Sequence, residues 1–309
     1  MKVILAGATG ALGVPLVRQL VSAGHDVVGI TRGDSGERLL TQLGATAIRA
    51  DVMDRTALLD AVSGIQADAV MHELTALKKT PTGHGAMSRT NVLRTTGTEH
   101  LLDVAHAVGA RRFVTQSIVF GYGYRDHGSQ VLTEESPFGE THGNPFDAHA
   151  RAMASAEQQI FEADGIEGIA LRYGLLYGAA ADQERVARML RKRALPVARH
   201  GGYLPFIHHD DAAAATVAAL ERGESGQAYN IVDDTPATFR ELVTGIAKAH
   251  HAPEPLMLPG WLLKLAAPYG GVVLSDVNLR VSNARAKREL GWSPAYPSYA
   301  DGLADVVDD

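Results

Sequence analysis

Residues Val3-Ile4-Leu5-Ala6 run apolar and then break into Gly7-Ala8-Thr9-Gly10-Ala11-Leu12-Gly13 before a helical pattern begins. A buried strand that turns on glycines straight into a helix can do one thing well. Its backbone N–H groups approach a pyrophosphate closely, and the helix N-terminus adds its partial positive charge. Glycine-rich turns alone are common. This one joins the first strand and first helix of a repeating strand–helix series, where dinucleotide binding is the expected use. The expected contacts are Gly7, Thr9, Gly10, Ala11, Leu12 and Gly13.

Short apolar runs suited to strands lie near 2–7, 26–31, 46–50, 68–73, 111–117 and 167–173. Helical patterns lie between them, near 11–23, 35–43, 54–63, 86–108 and 145–163. Such alternation predicts an α/β fold, a doubly wound parallel sheet of the Rossmann type with helices on both faces. Gly24, Gly109 and Gly165 fall at helix ends, and Asn144-Pro145 opens the last of these helices. After about 174 the pattern loosens into a cationic helix (Arg185, Arg188, Arg191, Lys192, Arg193), an Ala-rich helix after Asp210-Asp211, and a strand at 227–232. A length of 309 residues allows about two units of typical size. We expect a Rossmann domain over 1–174 with a return segment 207–233, and a smaller substrate-capping lobe over 175–206 and 234–309.

Composition removes several classes of function. A net charge of −6 offers no electrostatic case for nucleic acid or an anionic membrane. With no cysteine, disulfides, thiolate metal sites and a Cys nucleophile drop out together. The apolar run at the start is too short for a signal peptide, so a cytoplasmic protein is expected. Leu256–Leu274, the most apolar late stretch, is interrupted by Pro259, Gly260, Lys264, Pro268, Gly270 and Gly271, and reads as a buried or interface segment. His208 and His209 stand beside Asp210 and Asp211, but neighbours on an extended segment point opposite ways, so no metal site is expected.

The spacing Gly7, Gly10, Gly13 resembles the extended short-chain dehydrogenase/reductase family, also called the NAD-dependent epimerase/dehydratase family. The resemblance runs over essentially the whole chain. Asp51-Val52 looks like the family's adenine-contacting pair, and Asn91-Val92 with Gly97-Thr98 and Leu101-Leu102 is similar to its fourth-helix motif. Arg112-Phe113-Val114 through Tyr122-Gly123 resembles its fifth strand, and Arg172 through Tyr177-Gly178 its sixth. Phe206-Ile207-His208 with Asp210-Asp211, then Tyr229-Asn230-Ile231, resemble the return into the sheet. Further cofactor contacts implied by the resemblance are Thr31, Arg32, Leu74, Thr75, Ala76, Gln116, Tyr173, Gly174 and Leu175, with Asn91.

The second strand ends Ile30-Thr31-Arg32, with Arg38 following and no carboxylate at its tip. An acidic residue there would take the ribose hydroxyl of NAD, and a basic one the 2′-phosphate of NADP. NADP(H) is therefore the expected cofactor, with NAD(H) as the alternative.

The family's usual machinery is a Ser or Thr after the fifth strand and a Tyr and Lys four residues apart on the next long helix. An ammonium brings a phenol of pKa near 10 into working range. Aligned on Glu157, this helix carries His149 and Met153 at those two positions. Ile118 falls where the hydroxyl is usual, with Ser117 one place earlier. His149 is one candidate acid–base, since an ordinary imidazole titrates near 6.5 without help. Ser117 and Tyr122 are further candidates, and Tyr124 is an alternative acid on the same loop. Ile118, Tyr124, Met153, Tyr177, Phe206 and His208 are expected to line the substrate pocket, together with Tyr173 and the 256–274 stretch carrying Trp261. The expected function is an oxidoreductase acting on a small, largely apolar metabolite. The alternatives are a non-redox cyclase, isomerase or lyase, and a redox-inactive dinucleotide sensor. By analogy with the family, the 86–108 and 145–163 helices are the surfaces on which a homodimer would form.

Overall fold

Along the first strand, β1 (Lys2–Ala6), Val3 and Leu5 enter one apolar cluster while Ile4 and Ala6 enter another. A strand buried on both faces belongs inside a parallel sheet covered by helices. The computed structural model, which describes residues 1–77 and 81–304, builds that sheet. β1 is followed by α1 (Gly13–Ser22), β2 (Asp26–Thr31), α2 (Asp34–Gln42), β3 (Thr46–Arg49), α3 (Arg55–Ala61) and β4 (Ala69–His72). A tight turn at His84–Met87 leads to α4 (Ser88–Val92), a π-helical segment Leu93–Gly97 and α5 (Thr98–Ala107). Then come β5 (Arg112–Ile118), β6 (Asp126–Leu132), α6 (Asp147–Glu162), β7 (Glu167–Tyr173), β8 (Leu175–Tyr177) and α7 (Ala180–Arg191). β9 (Val197–Ala198), β10 (Tyr203–Leu204) and β11 (Phe206–His208) precede α8 (His209–Arg222) and β12 (Gln227–Ile231). The remainder is β13 (Ala237–Thr238), α9 (Phe239–Ala249), β14 (Met257–Leu258), α10 (Gly260–Ala266), α11 (Pro268–Ser275), β15 (Asn278–Val281), α12 (Ala284–Leu290) and α13 (Tyr299–Ala304).

The central sheet has seven strands in the order β12-β7-β5-β4-β1-β2-β3, every pairing parallel. Chain order reverses between β1 and β4, and the crevice beyond their carboxyl ends is where such sheets take ligands. Leu16 and Leu20 of α1 pack with Ala212 and Ala219 of α8 on one face. Leu58 of α3 and Leu101 and Val104 of α5 pack with Phe113 on the other. A third cluster sits beyond the sheet's end and joins Met153 of α6 to Tyr122, Phe206, Tyr269 and Val273.

The doubly wound sheet expected from the sequence is present, strand by strand. The 86–108 helix, expected as one piece, is four: the turn, α4, the π segment and α5. β6 was not expected, because Asp126–Leu132 is polar and almost wholly exposed, with no alternation to read. It forms through an irregular pairing to β15, with the Asn278 amide donating to Asp126 at 2.7 Å. The 256–274 stretch divides: Leu263, Tyr269 and Val273 are buried, whereas Met257, Trp261 and Leu265 are exposed. Among the described residues no helix is long and apolar enough to cross a membrane.

Candidate active site

The Gly7–Gly13 turn is as tight as backbone allows. Gly7 sits at φ +96°, and a Cβ there would press into the Glu73 carbonyl at the exit of β4. A Cβ on Gly13 would strike the Gly7 carbonyl, which accepts from the Gly10 N–H at 2.9 Å. Thr9, Gly10 and Ala11 are exposed on the crevice side of the turn, and Leu12 is buried beneath them. α1 starts with no side-chain cap and no acidic residue in its first turn. Val14 and Leu16 donate to the Gly10 and Leu12 carbonyls and Pro15 has no N–H, so the cradle's fit to a pyrophosphate rests on the exposed 9–11 turn and the partial positive charge of the helix end.

At the exit of β2, Thr31 is buried with Gly36 packed against its hydroxyl, while Arg32 extends into solvent. The Arg32 guanidinium lies 4.0 Å from the exposed Asp51 carboxylate, and Val52 beside it is buried. Asp34, the next carboxylate after the strand, is engaged by Arg49. Beyond β4, the Leu74 carbonyl accepts from the Gln116 amide, the Thr75 hydroxyl meets that of Thr90, and the Ala76 N–H donates to Thr90. The Tyr173 hydroxyl is buried, 2.6 Å from the Thr216 hydroxyl and 3.3 Å from the Glu73 carboxyl. Gly174 is wedged against the backbone of Pro205 and Phe206, and the Leu175 N–H donates to Pro205. Of these expected cofactor contacts, Gln116 and Tyr173 spend their polar atoms on the protein. Burial of Glu73 pushes its carboxyl up to about 8, so it is largely protonated at neutral pH.

At the other end of the crevice α6 presents His149, buried, with Met153 buried one turn later. The His149 Nδ1 lies 2.9 Å from the Asn91 amide nitrogen, and its Nε2 lies 3.0 Å from His84 Nδ1. One neutral tautomer satisfies both: Nδ1 accepts from Asn91 and Nε2–H donates to His84. Burial, then the neighbouring His84 and Arg94, push the imidazole down to about 4. The expectation of a ring titrating near 6.5 is thus overturned.

The other candidate catalytic side chains are used elsewhere. Tyr122 is buried and donates to Asn230 at 2.7 Å while accepting from Arg172 at 2.9 Å, and burial pushes it up to about 12. Its hydroxyl belongs to the framework and not to the group around His149. Ser117 is buried with no partner for its hydroxyl among the described residues. It pairs with Arg172 across β5 and β7, so it shares that residue's face of the sheet. Ile118, the next residue, joins the third apolar cluster. Tyr177 donates to the Ser298 carbonyl and packs edge-on to Phe206, and His208 caps α8 by accepting from the Asp210 N–H. These three lie around α8 and the 296–301 segment. Trp261, at 63% exposure, lies on the surface.

What surrounds His149 is a set of rings that sequence reasoning largely missed. His84 stacks on His149 at 5.3 Å, and Phe146, Tyr124 and Tyr269 close around the two at centroid distances of 4.7 to 6.3 Å. The Tyr124 and Tyr269 hydroxyls are 3.1 Å apart. Arg94, from the π segment, is buried beside them. Tyr124 was expected here by number, and Tyr269 only as part of the 256–274 stretch. His84 lies just before the 86–108 stretch that reads as one helix, Arg94 inside it, and Tyr269 inside an apolar run. The one available signal was a charged side chain, Arg94, where the helical pattern turns inward.

Comparison with known proteins speaks to family and fold. The sequence model of the NAD dependent epimerase/dehydratase family matches residues 3–232. A 3-diazoavenalumate denitrifying reductase from a Streptomyces species is 37% identical over 98% of this chain and 99% of its own length. A 2-alkyl-3-oxoalkanoate reductase from Stenotrophomonas maltophilia is 31% identical over 82% of this chain and 77% of its own. Among solved structures, a human epimerase family protein with NADPH superposes with a TM-score of 0.79 at 19% identity, covering the whole of both chains. UDP-glucose 4-epimerase from Thermotoga maritima gives 0.78 at 22%, covering all of this chain and 98% of its own.

Proposed function

The chain belongs to the NAD-dependent epimerase/dehydratase family, and from that premise we propose that it is a reductase, preferring NADPH, of a small, largely apolar aromatic substrate. The observation that carries this reading is the head of α6, where His149 is held neutral and Met153 is buried in place of the proton-relaying pair. Reducing a carbonyl builds negative charge on oxygen and calls for a proton donor. An acceptor that leaves no alkoxide suits a site whose central histidine has no spare proton. The Streptomyces relative's name supplies one, a diazo group lost on reduction. A bound nicotinamide would supply hydride, and an arenediazonium ion plus hydride gives the arene and dinitrogen without a proton from the protein.

The chain's own residues would bind and orient. The Gly7–Gly13 turn and the start of α1 hold the pyrophosphate, and Arg32 meets the 2′-phosphate. Tyr124, Phe146, His149 and Tyr269 offer ring faces, which favour a flat ring carrying positive charge and keep water from it. A second reading, carbonyl reduction, is favoured by the Tyr124–Tyr269 hydroxyl pair and the Stenotrophomonas relative. Burial raises both phenols, so both stay protonated and either could serve as the acid.

The test is loss of nicotinamide absorbance with an arenediazonium salt and, separately, an aryl ketone, each with NADPH and NADH. Dinitrogen and arene formed in step with NADPH loss are expected. Turnover of the ketone alone would move the second reading ahead, and equal use of NADH would remove the role given to Arg32.

A further inference from the structure

Two arginines are buried in this molecule's functional half, and they are treated differently. Arg172 is met by both oxygens of Glu157, at 2.7 to 3.2 Å, and by the Tyr122 hydroxyl. Arg94 is 6% exposed, and its Nε and Nη1 have no hydrogen-bond partner among the described residues. A buried guanidinium stays charged, and leaving it unpaired is costly. We propose that Arg94 is the floor of an anion subsite in the aromatic pocket and receives a carboxylate of the substrate.

Placement supports this. Arg94 is carried by the π segment Leu93–Gly97, a kind of irregularity that recurs at functional sites because it re-aims a side chain. The Leu93 carbonyl, displaced from the regular ladder, is taken up by His72 Nε2 at 3.0 Å, so the distortion is supported from β4. The guanidinium lies within electrostatic reach of His72, His149, Tyr124 and Tyr269, which come from β4, α6, the loop after β5 and α11. All four are neutral at physiological pH, so no counter-charge is supplied there among the described residues. Glu73, the buried carboxyl nearby in sequence to His72, is engaged by Tyr173. The Asn91 Oδ1, in the same pocket, is also without a partner.

The chemistry of the occupant follows. A single planar guanidinium, walled by rings, matches a planar monoanion that accepts two parallel hydrogen bonds. A phosphate dianion would call for a second cation, and none is placed with Arg94 among the described residues. This rests on the reductase reading only for the aromatic character of the substrate. It would give that substrate an orientation: carboxylate at Arg94, ring among Tyr124, Phe146 and Tyr269.

The probes are cinnamate and cinnamamide, matched in shape and differing in charge, titrated calorimetrically into NADPH-loaded protein. Cinnamate is expected to bind at least about tenfold more tightly than the amide, a difference of about 1.4 kcal/mol. Arg94→Met should abolish that preference and leave NADPH affinity unchanged. Arg94→Lys should weaken cinnamate alone, since a point charge replaces the fork, and it keeps the test open if the methionine variant does not fold. Equal binding of the two probes to the wild type, or a preference kept in Arg94→Met, overturns the proposal. A fall in NADPH affinity in either variant also overturns it, by assigning the guanidinium to the cofactor. Neither probe is reducible at a diazo group or ketone, so failure of the reductase reading would show as absent turnover without touching this result.

Discussion

The two ends of the crevice are made of different material. The cofactor end is backbone: three glycines, the start of α1 and the exits of β1 and β4, all within a short stretch or fixed by the sheet. The proposed reaction end is side chains, brought from His72, His84, Arg94, Tyr124, His149 and Tyr269 by six separate elements or loops. A backbone site constrains residue type severely and locally, so it is written in a motif. A side-chain site constrains only where distant elements meet, so one chain's sequence hardly records it. The same contrast predicts that damage at the first end removes binding outright, while change at the second redirects it.

The largest effect tests what both ends share, the seating of α6 on the sheet. Arg172 and Glu157 tie α6 to β7 in a buried pair, with the Phe138 ring 3.7 Å from the guanidinium carbon. Arg172→Met leaves a carboxylate buried alone and should cost about 3–5 kcal/mol in denaturant unfolding. Removing both partners, as Arg172→Met with Glu157→Met, should recover most of that. A single-variant loss below about 1 kcal/mol would mean that Met153 and Ile160 hold the helix by packing alone. The substrate end would then be independent of the pair.

Gly7→Ala comes next and addresses the cofactor end alone. At φ +96° an alanine is strained, and its Cβ meets the Glu73 backbone, which cannot swing away as a side chain could. A loss of about 2–4 kcal/mol is expected, with NADPH affinity falling about a hundredfold, or 2.7 kcal/mol. Retained affinity would show that the turn can open by moving β4, and the end would be softer than its backbone construction implies.

This contrast also accounts for what could be read from residues alone. The doubly wound sheet was legible because both faces of β1, β4 and β5 are buried, which forces continuous apolar runs between helical periods. The roles of Gly7 and Gly13 were legible because a Cβ at either would strike backbone, and that of Gly10 because it completes their spacing. His149 and Met153 were found by aligning α6 on Glu157, and the structure explains that anchor, since Glu157 is fixed by Arg172. Tyr122 was misread because a loop tyrosine looks free until Asn230, 108 residues away, is seen to accept its hydrogen bond. Trp261 was misread for the opposite reason: apolarity along 256–274 does not say which residues of α10 turn outward. The π segment is invisible in composition, because it is a change of hydrogen-bond register and not of residue type.

Glu73 lies between the two ends, and its titration can sharpen the boundary. Its folded-state pKa of about 8 is above the ordinary carboxyl value of about 4.3, so the native state holds its proton longer than the unfolded chain. Stability from this group is therefore complete below about pH 4.3 and is lost as pH rises towards 8. Glu73→Gln cannot ionise, so its stability relative to wild type should climb by about 3–4 kcal/mol between pH 5 and pH 8 in thermal or urea unfolding. A difference that stays flat with pH would mean the carboxyl is already ionised and paired. The exit of β4 would then carry a charge beneath the pyrophosphate turn.

His149→Phe has the smallest expected effect and separates the two ends most directly. The ring is held to about 4, below its ordinary 6.5, by burial and by His84 and Arg94. Its contribution to stability is full above about pH 6.5 and is lost as pH falls towards 4, because the unfolded chain then binds a proton the native state refuses. Wild type should therefore lose about 2 kcal/mol more than His149→Phe on going from pH 8 to pH 5. Turnover is the sharper readout. A neutral ring bound to Asn91 and His84 titrates nowhere between pH 5.5 and 8, so wild type and variant should share one pH–rate profile there, displaced by a small constant factor. A limb near 6.5 present in wild type and absent in the phenylalanine variant would show His149 exchanging protons during the reaction. The neutral-pocket account of the substrate end would then fail, while the backbone-built cofactor end would be untouched.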